Sequence, residues 1–389
     1  MTDEPMNDSL AQQYERWPYP SPLYCLDHPS LEEARLRWER YWPRRVPARP
    51  IEILVAGCGT REAALIAHYN HDARVTGIDV SATSLRHQRR LKADYGLSNL
   101  SLHHLPIERA SALDVSFDLI LCHGVLHHLE DPAAGLAELA TILRPHGSLS
   151  LMVYGAHGRA GIRMLAGLFR SMGVGQDEEG LALVRSTVAA LGPHHPAQRF
   201  IAAFGFTHDT VFVDTFLNRR DIDYTVGALI ELLDGCGLRF QRWANNELYY
   251  PDAHLGMGHA LARAVAALPE PDVWAAMELF HATNQHYVIA CPAVRPDDDY
   301  RVDFFDDSFM QMVPLPDQGR LRRFGHRLLD SMNPLDSTLF RFMDGTRTIA
   351  AILDAVPLQG NPSGLAESAR RLFRGLWRKG LIDIAFVTE

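Results

Sequence analysis

Residues 51–60 read IEILVAGCGT. An apolar run, interrupted only by Glu52, ends in two glycines one residue apart. A strand covered on both faces reads as such a near-continuous run. Gly57 and Gly59 carry no Cβ, so the backbone can turn sharply here and come close to a ligand. A lone Gly-x-Gly also fits a strand that simply stops at a turn. The residues beyond Thr60 decide between the two.

A helical stretch, TREAALIAHYN, comes next, and then a second apolar run, RVTGIDV. That run ends at Asp79, about 20 residues on, where a carboxylate accepts hydrogen bonds from ribose hydroxyls. Taken alone, Asp79 also fits a turn or the N-cap of the helix SATSLRHQRRLKADYG. From 51 to 155 the pattern keeps alternating. Further strands are expected in LSLHHL, FDLILCHG and GSLSLMVYG, with a helix in PAAGLAELATILRPHG between the last two. Strands alternating with helices give βαβ units and a parallel sheet covered on both faces. Ligands of such sheets bind outside the carboxyl ends of the strands, and FDLILCHG ends at that same edge. The turn, Asp79 and this edge together point to a ribose-bearing ligand.

A dinucleotide fingerprint wants a third glycine, G-x-G-x-x-G, for a pyrophosphate. Glu62 holds that position here, and an acid at a helix start repels phosphate. No Gly-Lys-Ser/Thr comes after the turn, which excludes a P-loop. A ribose ligand without phosphate fits better.

At this point the chain resembles the class I S-adenosylmethionine-dependent methyltransferases. ILVAGCGT is similar to that family's glycine motif, VTGIDVS to its ribose motif, FDLILCHGVLHHLEDP to its fourth-strand motif, and LRPHGSLSLMVYG to its turn and fifth strand. The resemblance covers about residues 50–155. It implies an α/β, Rossmann-like, mostly parallel seven-stranded sheet with helices on both faces. It also implies S-adenosyl-L-methionine as cofactor, with Ala56, Gly57 and Gly59 at the methionine moiety and ribose. Asp79 would bind the ribose hydroxyls, Val80 would lie against the adenine, and Leu105 and Pro106 would flank the ring. His123 and Gly124 would face the amino-acid part and the transferred methyl. Two departures stand out: Arg61 where relatives carry a further glycine, and LHHLPIE where relatives often carry an acid for the adenine amine. The N-terminal YERWPYPSP is similar to a Tyr-x-x-x-Pro-Tyr-Pro segment in a subset of the family. It implies Tyr14 and Tyr19 folded over the pocket, where an aromatic face near a sulfonium contributes roughly 0.5–2 kcal/mol. The same aromatics also fit a purely structural arm.

A base is needed only if the methyl acceptor arrives protonated, and histidine is then the first candidate. His123 ends the fourth strand, and His127 and His128 come after it in GVLHHLEDP. His127 is expected beside the pocket, and His128 is expected to pack or cap the next helix. Tyr154 ends the fifth strand within reach of substrate. The candidate catalytic residues are thus His123, His127 and Tyr154. His194 and His195 lie without carboxylate or cysteine neighbours at ligand spacing, so no metal is expected.

Around this core, residues 1–48 form an N-terminal arm whose SLEE is expected to open a helix with Ser30 as N-cap and Glu33 at N3. The methyltransferase domain is expected over 49–298, with a helical insertion at 156–220 supplying acceptor walls together with Tyr249 and Tyr250. LRFQRW and HYVIACPA are further strands. VDTFLNRRDIDYTVGALIELLDGCGLRFQRW partly resembles methyltransferases that carry a regulatory region, among them bacterial protein-lysine methyltransferases, and Asp214, Asp221 and Asp223 in it could meet a cationic acceptor. VRPDDDYRVDFF reads as a linker, and 303–389 as a small winged-helix-like accessory domain in which Asp344-Gly345 marks a turn and Thr346 or Thr348 caps a helix.

Composition narrows the partners. Of 389 residues 47% are hydrophobic and 22% charged, ordinary values for a globular chain. The net charge of −9, from 38 basic and 47 acidic residues, disfavours a nucleic-acid partner. Arg370, Arg371, Arg374, Arg378 and Lys379 form a basic cluster that could bind DNA, but packing or protein recognition fits it better. No run nears the ~20 apolar residues of a membrane span. The N-terminus lacks the features of a signal peptide, and five scattered cysteines fit a cytoplasmic protein. The expected function is methyl transfer to an O or N acceptor, small-molecule or peptide, by a possible homodimer. A protein or peptide N-methyltransferase using the C-terminal module, or a non-catalytic cofactor sensor, are the alternatives.

Overall fold

The computed structural model describes residues 9–255, 259–322, 332–356 and 362–387. The reading of the first eight residues lies outside them, as does the part of the accessory-domain reading that falls on 323–331 and 357–361. The chain forms two compact units: 1–36, 48–240 and 281–294 make the first, and 37–47, 241–280 and 295–389 the second.

The first unit is built on a sheet of seven strands: β1 (Ile51–Ala56), β2 (Ala73–Asp79), β3 (Leu100–His104), β4 (Phe117–His123), β5 (Leu143–Tyr154), β6 (Leu238–Trp243) and β7 (Gln285–Pro292). Their order is β3-β2-β1-β4-β5-β7-β6. The strands β1 to β5 pair in parallel, and β7 runs antiparallel to β5. Order reverses at β1, between β2 and β4, which is the switch point where such sheets bind ligands. Ile51, Ile53, Leu54 and Val55 of β1 and Leu119, Ile120 and Leu121 of β4 are buried, as the near-continuous apolar runs require. Helices α1 (Ser9–Arg16), α2 (Glu62–Tyr69), α3 (Ala82–Asp94) and α4 (Pro132–Thr141) belong to this core. After β5 come α5 (Ala160–Ser171), α6 (Glu178–Ala190), α7 (Gln198–Phe204), α8 (Asp209–Phe212), a π-helical turn at Val213–Leu217, and α9 (Val226–Gly235). The segment after β5 thus has a small core of its own, including Ile162, Phe169, Val184, Phe200 and Phe216.

Two local expectations fail. No capping-box helix forms from Ser30. Short 3-10 turns stand at Pro29–Ala34 and Trp38–Arg40, and His28, not Ser30, accepts the first amide. Asn70 explains part of this: it accepts from the Leu36 amide (2.9 Å) and donates to the Ala34 carbonyl (3.0 Å), groups an α-helix would have used internally. The fifth strand also starts earlier than Gly147. LRPHG joins it as a bulge opposite Phe117–Leu119. Buried Asp118 holds that bulge, pairing with Arg144 (2.6 Å) and His146 (3.1 Å) while accepting the Glu52 amide (2.9 Å).

The second unit contains α10 (Ala260–Ala266), α11 (Glu270–His281), α12 (Asp297–Tyr300), α13 (Pro334–Arg341), α14 (Ile349–Ala355) and α15 (Pro362–Arg378). Strands β8 (Met312–Pro316) and β9 (Ile382–Phe386) pair antiparallel. On α15, Ala369, Leu372, Phe373 and Leu376 recur at helical spacing and face one core with Met312, Leu339, Ile352 and Ile384. Thr348 caps α14, and Asp344 takes the Thr346 and Arg347 amides. Buried Asp383 meets Arg40 (2.9 Å), Arg37 (3.2 Å) and Arg242 (3.1 Å). Burial disfavours its charge, but the three arginines override that and hold its pKa at about 2.

Candidate active site

A cavity of about 310 Å³ opens in the first unit at the carboxyl edge of the sheet. Its centre is the glycine turn. Gly57 and Gly59 both have left-handed backbone, with φ of 72° and 54°. A Cβ on Gly57 would meet Val125 Cγ2 at 2.4 Å, and one on Gly59 would meet the Tyr19 carbonyl at 2.7 Å. Conformation and space thus both demand glycine. The Gly57 and Cys58 amides donate to the Ile78 carbonyl, both at 2.9 Å, tying the turn to the end of β2. Buried Gln88 braces it from α3, donating to the Cys58 (2.8 Å) and Gly59 (3.0 Å) carbonyls. Nothing in the basic stretch RHQRRLK announced this role.

Asp79 lies beside the turn. Its carboxylate accepts from the Gly59 amide (2.7 Å) and the Ser81 amide (2.8 Å). It is not a helix cap; Ser81 caps α3. Burial pushes its pKa up to about 6, although both amides work the other way. A buried carboxylate still short of donors is suited to receive ligand hydroxyls. Val80, Leu105 and Ile107 line the same end of the cavity. His104 Nε2 is 2.9 Å from the Val80 carbonyl and fixes that strand end.

The N-terminal arm closes over this end. Tyr14, Tyr19 and Pro20 line the cavity. Thr60 donates to the Pro20 carbonyl (2.7 Å) and Ser81 to the Tyr14 carbonyl (3.2 Å). Glu15 accepts from the Thr83 hydroxyl (2.7 Å) at the start of α3, where a carboxylate complements the helix dipole.

The middle of the cavity holds Arg61, Glu62 and His123. His123 is pinned at both nitrogens, Nδ1 to Glu62 (2.8 Å) and Nε2 to Ser150 (2.9 Å). It is therefore placed as a holder of Glu62 more than as a free base. Arg61 and Glu62 set a positive and a negative group side by side on the wall.

The far end carries Tyr154 and His128 with Tyr14, and Met152, Tyr287 and Phe204 complete the wall. The β4–β5 register sets His123 opposite Met152. Tyr154, two residues further along, projects beyond that edge on the same face. Here the histidine expectations reverse. His128 lines the cavity, and His127 does not. Leu126–His128 form one 3-10 turn, in which successive side chains are about 120° apart. His127 packs on the back of Tyr154, ring centroids 3.8 Å apart, with both ring nitrogens buried and unpartnered. Burial, then His128 and Arg159, depress its pKa well below the usual value. Nor does His128 cap α4; Asp131 does.

Behind this end sits a buried charge cluster. Asp214 accepts from the Tyr14 hydroxyl (2.9 Å) and, more weakly, from Tyr154 (3.4 Å). Arg159 lies over the Tyr154 ring at 3.5 Å, bonds Asp221 (3.0 Å) and approaches Asp223 (3.4 Å). Arg159 was not foreseen from the sequence. His128 Nδ1 is 2.9 Å from the Arg220 carbonyl and 2.9 Å from Asp221, with the Asn218 amide at 3.1 Å. Burial would depress the His128 pKa, but Asp221 overrides it and the net shift is upward.

Of the other expected residues, Ala56 is fully buried in β1 and Pro106 is not on the wall; Gly124 is, with φ of 75°. Tyr249 and Tyr250 are buried within the second unit, Tyr249 stacked on Trp243 at 3.8 Å and Tyr250 bonded to Glu270 (2.9 Å). Their aromatic character, read as a pocket wall, serves a core. His195 accepts the Ala197 amide. Among the described residues no group of three or more metal-ligating side chains is gathered.

The site brings together a close-approach turn, a buried carboxylate, apolar walls and a pair of opposite charges. That set suits S-adenosylmethionine. Comparison with known proteins agrees. Residues 54–151 match the family model described as a methyltransferase domain. The chain is 33% identical to the tRNA 5-carboxymethoxyuridine methyltransferase of Escherichia coli over 238 residues, 58% of this chain and 86% of that one. It is 31% identical to an uncharacterized protein of Synechococcus sp. over 295 residues, 73% of this chain and 67% of that one. PKMT2 from Rickettsia typhi, solved in complex with AdoHcy, shares the fold with a TM-score of 0.63 at 14% identity, covering 96% of this chain and 78% of that one. The chain belongs to the class I S-adenosylmethionine-dependent methyltransferases, enzymes whose methyl donor is S-adenosyl-L-methionine.

Proposed function

We propose that this enzyme transfers a methyl group to an oxygen or nitrogen acceptor seated at the Tyr14–Tyr154–His128 end of the cavity. The observation that carries the proposal is the continuity of that cavity. One wall runs from Asp79 and Leu105, past the glycine turn, to Tyr154. When bound, S-adenosyl-L-methionine supplies a methyl carbon activated by its sulfonium, open to in-line displacement by an acceptor lone pair.

The chain's residues position and exclude. Asp79 takes the ribose hydroxyls, and Val80, Leu105 and Ile107 flank the base. Arg61 and Glu62 take the carboxylate and ammonium of the amino-acid end, with Glu62 held by His123, itself held by Ser150. Tyr14, Tyr19 and Pro20 cover the cofactor, excluding water and presenting ring faces to a cation. Holding the two reactants in line accounts for much of such a rate, because the ordering entropy is paid on binding.

A small-molecule or peptide acceptor is favoured over RNA. The E. coli relative is named for a tRNA nucleoside. In this chain, though, the α15 arginines are already engaged within the second unit. Arg378 pairs with Asp252 (3.0 Å) and Arg371 with Asp336 (3.4 Å), while Arg370 lies over Phe309 (4.7 Å) and Arg374 over Phe305 (4.7 Å). A cytoplasmic setting belongs to the same proposal; among the described residues no helix is long and apolar enough to cross a membrane. The test is incubation of the enzyme with methyl-labelled cofactor and cell extract, then separation into small-molecule, protein and RNA fractions. Label is expected in the small-molecule or protein fraction and lost in Tyr154→Ala; label confined to RNA would overturn the acceptor assignment.

A further inference from the structure

The acceptor end of the cavity shows what its occupant must offer. Tyr14 and Tyr154 each have a single hydroxyl proton, and both are directed to Asp214. Toward the cavity their oxygens present lone pairs only. Among the described residues no cationic nitrogen lies within salt-bridge distance of Asp214, whereas Asp221 and Asp223 share Arg159. This end is therefore rich in acceptors and backed by an unpaired carboxylate.

His128 completes the pattern. Three groups face its Nδ1: the Arg220 carbonyl and Asp221, both at 2.9 Å, and the Asn218 amide nitrogen at 3.1 Å; the two oxygens, one of them charged, outweigh the single N–H donor and favour the proton on that nitrogen. The ring N–H is directed at the carbonyl, and the carboxylate sits beside it. Among the described residues the other nitrogen, Nε2, has no hydrogen-bond partner, yet it is not among the sealed, unsatisfied atoms that include both nitrogens of His127. It belongs to a residue that is buried yet lines the cavity. With the proton on Nδ1, Nε2 of the neutral ring carries a lone pair on a residue of the cavity wall. The positive charge gained on protonation is met by Asp221.

We propose that His128 is the general base of the methyl transfer, with Asp221 as its positioning residue, and that the acceptor enters as an uncharged hydroxyl or as a protonated amine, not as a carboxylate. This rests on the cavity being the transfer site. The acceptor's O–H or N–H proton passes to Nε2. The lone pair so freed, or left on nitrogen, forms the bond to the methyl carbon, while the methyl–sulfur bonding pair goes to sulfur and leaves a thioether. The imidazolium then releases its proton to solvent. An anionic acceptor would offer no proton to Nε2 and would meet the Asp214 charge.

The test uses the full chain. Rates of transfer from methyl-labelled cofactor to the extract fraction that accepts label are measured against pH, for wild type, His128→Asn, His128→Gln and Asp221→Asn. The charged groups facing His128 are Asp214, Asp221 and Arg159, with His127, Tyr14 and Tyr154 also ionisable. The wild-type rate should rise with pH through one histidine-like limb. Both His128 variants should lose about 10²-fold or more and lose the limb, while S-adenosylhomocysteine affinity stays within threefold. Asp221→Asn should shift the limb to lower pH, because the charge that favours the imidazolium is gone. ¹⁵N spectra of the wild type with S-adenosylhomocysteine should show His128 neutral and protonated at Nδ1. Rates within threefold of wild type with the limb retained in either His128 variant, or a neutral His128 protonated at Nε2, would overturn the proposal. Failure of the wild type to bind S-adenosylhomocysteine would instead overturn the reading of the cavity beneath it.

Discussion

The two ends of the cavity are made of different material. The end proposed for the cofactor is mostly backbone: glycines with left-handed φ, amides bonded to Ile78 and Asp79, and a short apolar wall. It comes from adjacent pieces of β1, β2 and β3. The end proposed for the acceptor is mostly side chains. Tyr14 comes from the arm, Tyr154 from β5, His128 from a 3-10 turn, and Asp214 from a π turn 200 residues from its tyrosine partner. The first can recur unchanged under many activities, because it depends on topology. The second can change residue by residue, which is why fold does not name an acceptor.

If the ends are that separate, their variants should divide cleanly. The largest effect is expected from Gly57→Val. Its side chain cannot share space with Val125, and its backbone cannot easily hold the turn, so titration should detect no cofactor binding while circular dichroism still reports a folded sheet. The next is the pH dependence of affinity. Asp79, whose pKa is raised to about 6 in the free protein beside Glu15 and His104, must be ionised to accept the ribose hydroxyls. Affinity for S-adenosylhomocysteine should be flat above that pH and fall about tenfold between pH 7 and 5. The free protein should move the opposite way. A carboxyl with a raised pKa contributes more stability as pH falls from about 6 toward the ordinary carboxylate range, and loses it as pH rises again. Asp79→Asn should remove both trends, and a fall in affinity that persists in Asp79→Asn would assign it elsewhere. The smallest effect on binding belongs to the acceptor end: Tyr154→Phe should change S-adenosylhomocysteine affinity less than twofold while lowering transfer severalfold. A large loss of cofactor affinity there would show that the two ends are one.

The same division explains what could be read from the chain. The strand, turn and helix around IEILVAGCGT were legible because periodicity and glycine spacing report backbone topology. So were the seven-stranded, mostly parallel sheet and the place of Asp79 at the end of β2. His127 and His128 were not separable, because adjacent residues in a 3-10 turn differ only in the direction they point. The capping box at Ser30 was overruled by Asn70, a side chain far along the sequence. Tyr249 and Tyr250 look like pocket aromatics in a sequence, and only packing shows them to be core. The Tyr14–Asp214 contact and the Arg159 cluster join segments with no shared period, so no local pattern could announce them.

The central claim is that the glycine turn and Asp79 hold the methyl donor. Calorimetric titration of wild type and Asp79→Ala with S-adenosylhomocysteine tests it most directly. A hydrogen bond to a charged group contributes about 1.5–3 kcal/mol, so the variant should bind roughly 10- to 150-fold more weakly, with its fold intact. Wild-type protein that does not bind, or an Asp79→Ala variant that binds as tightly as wild type, would contradict it.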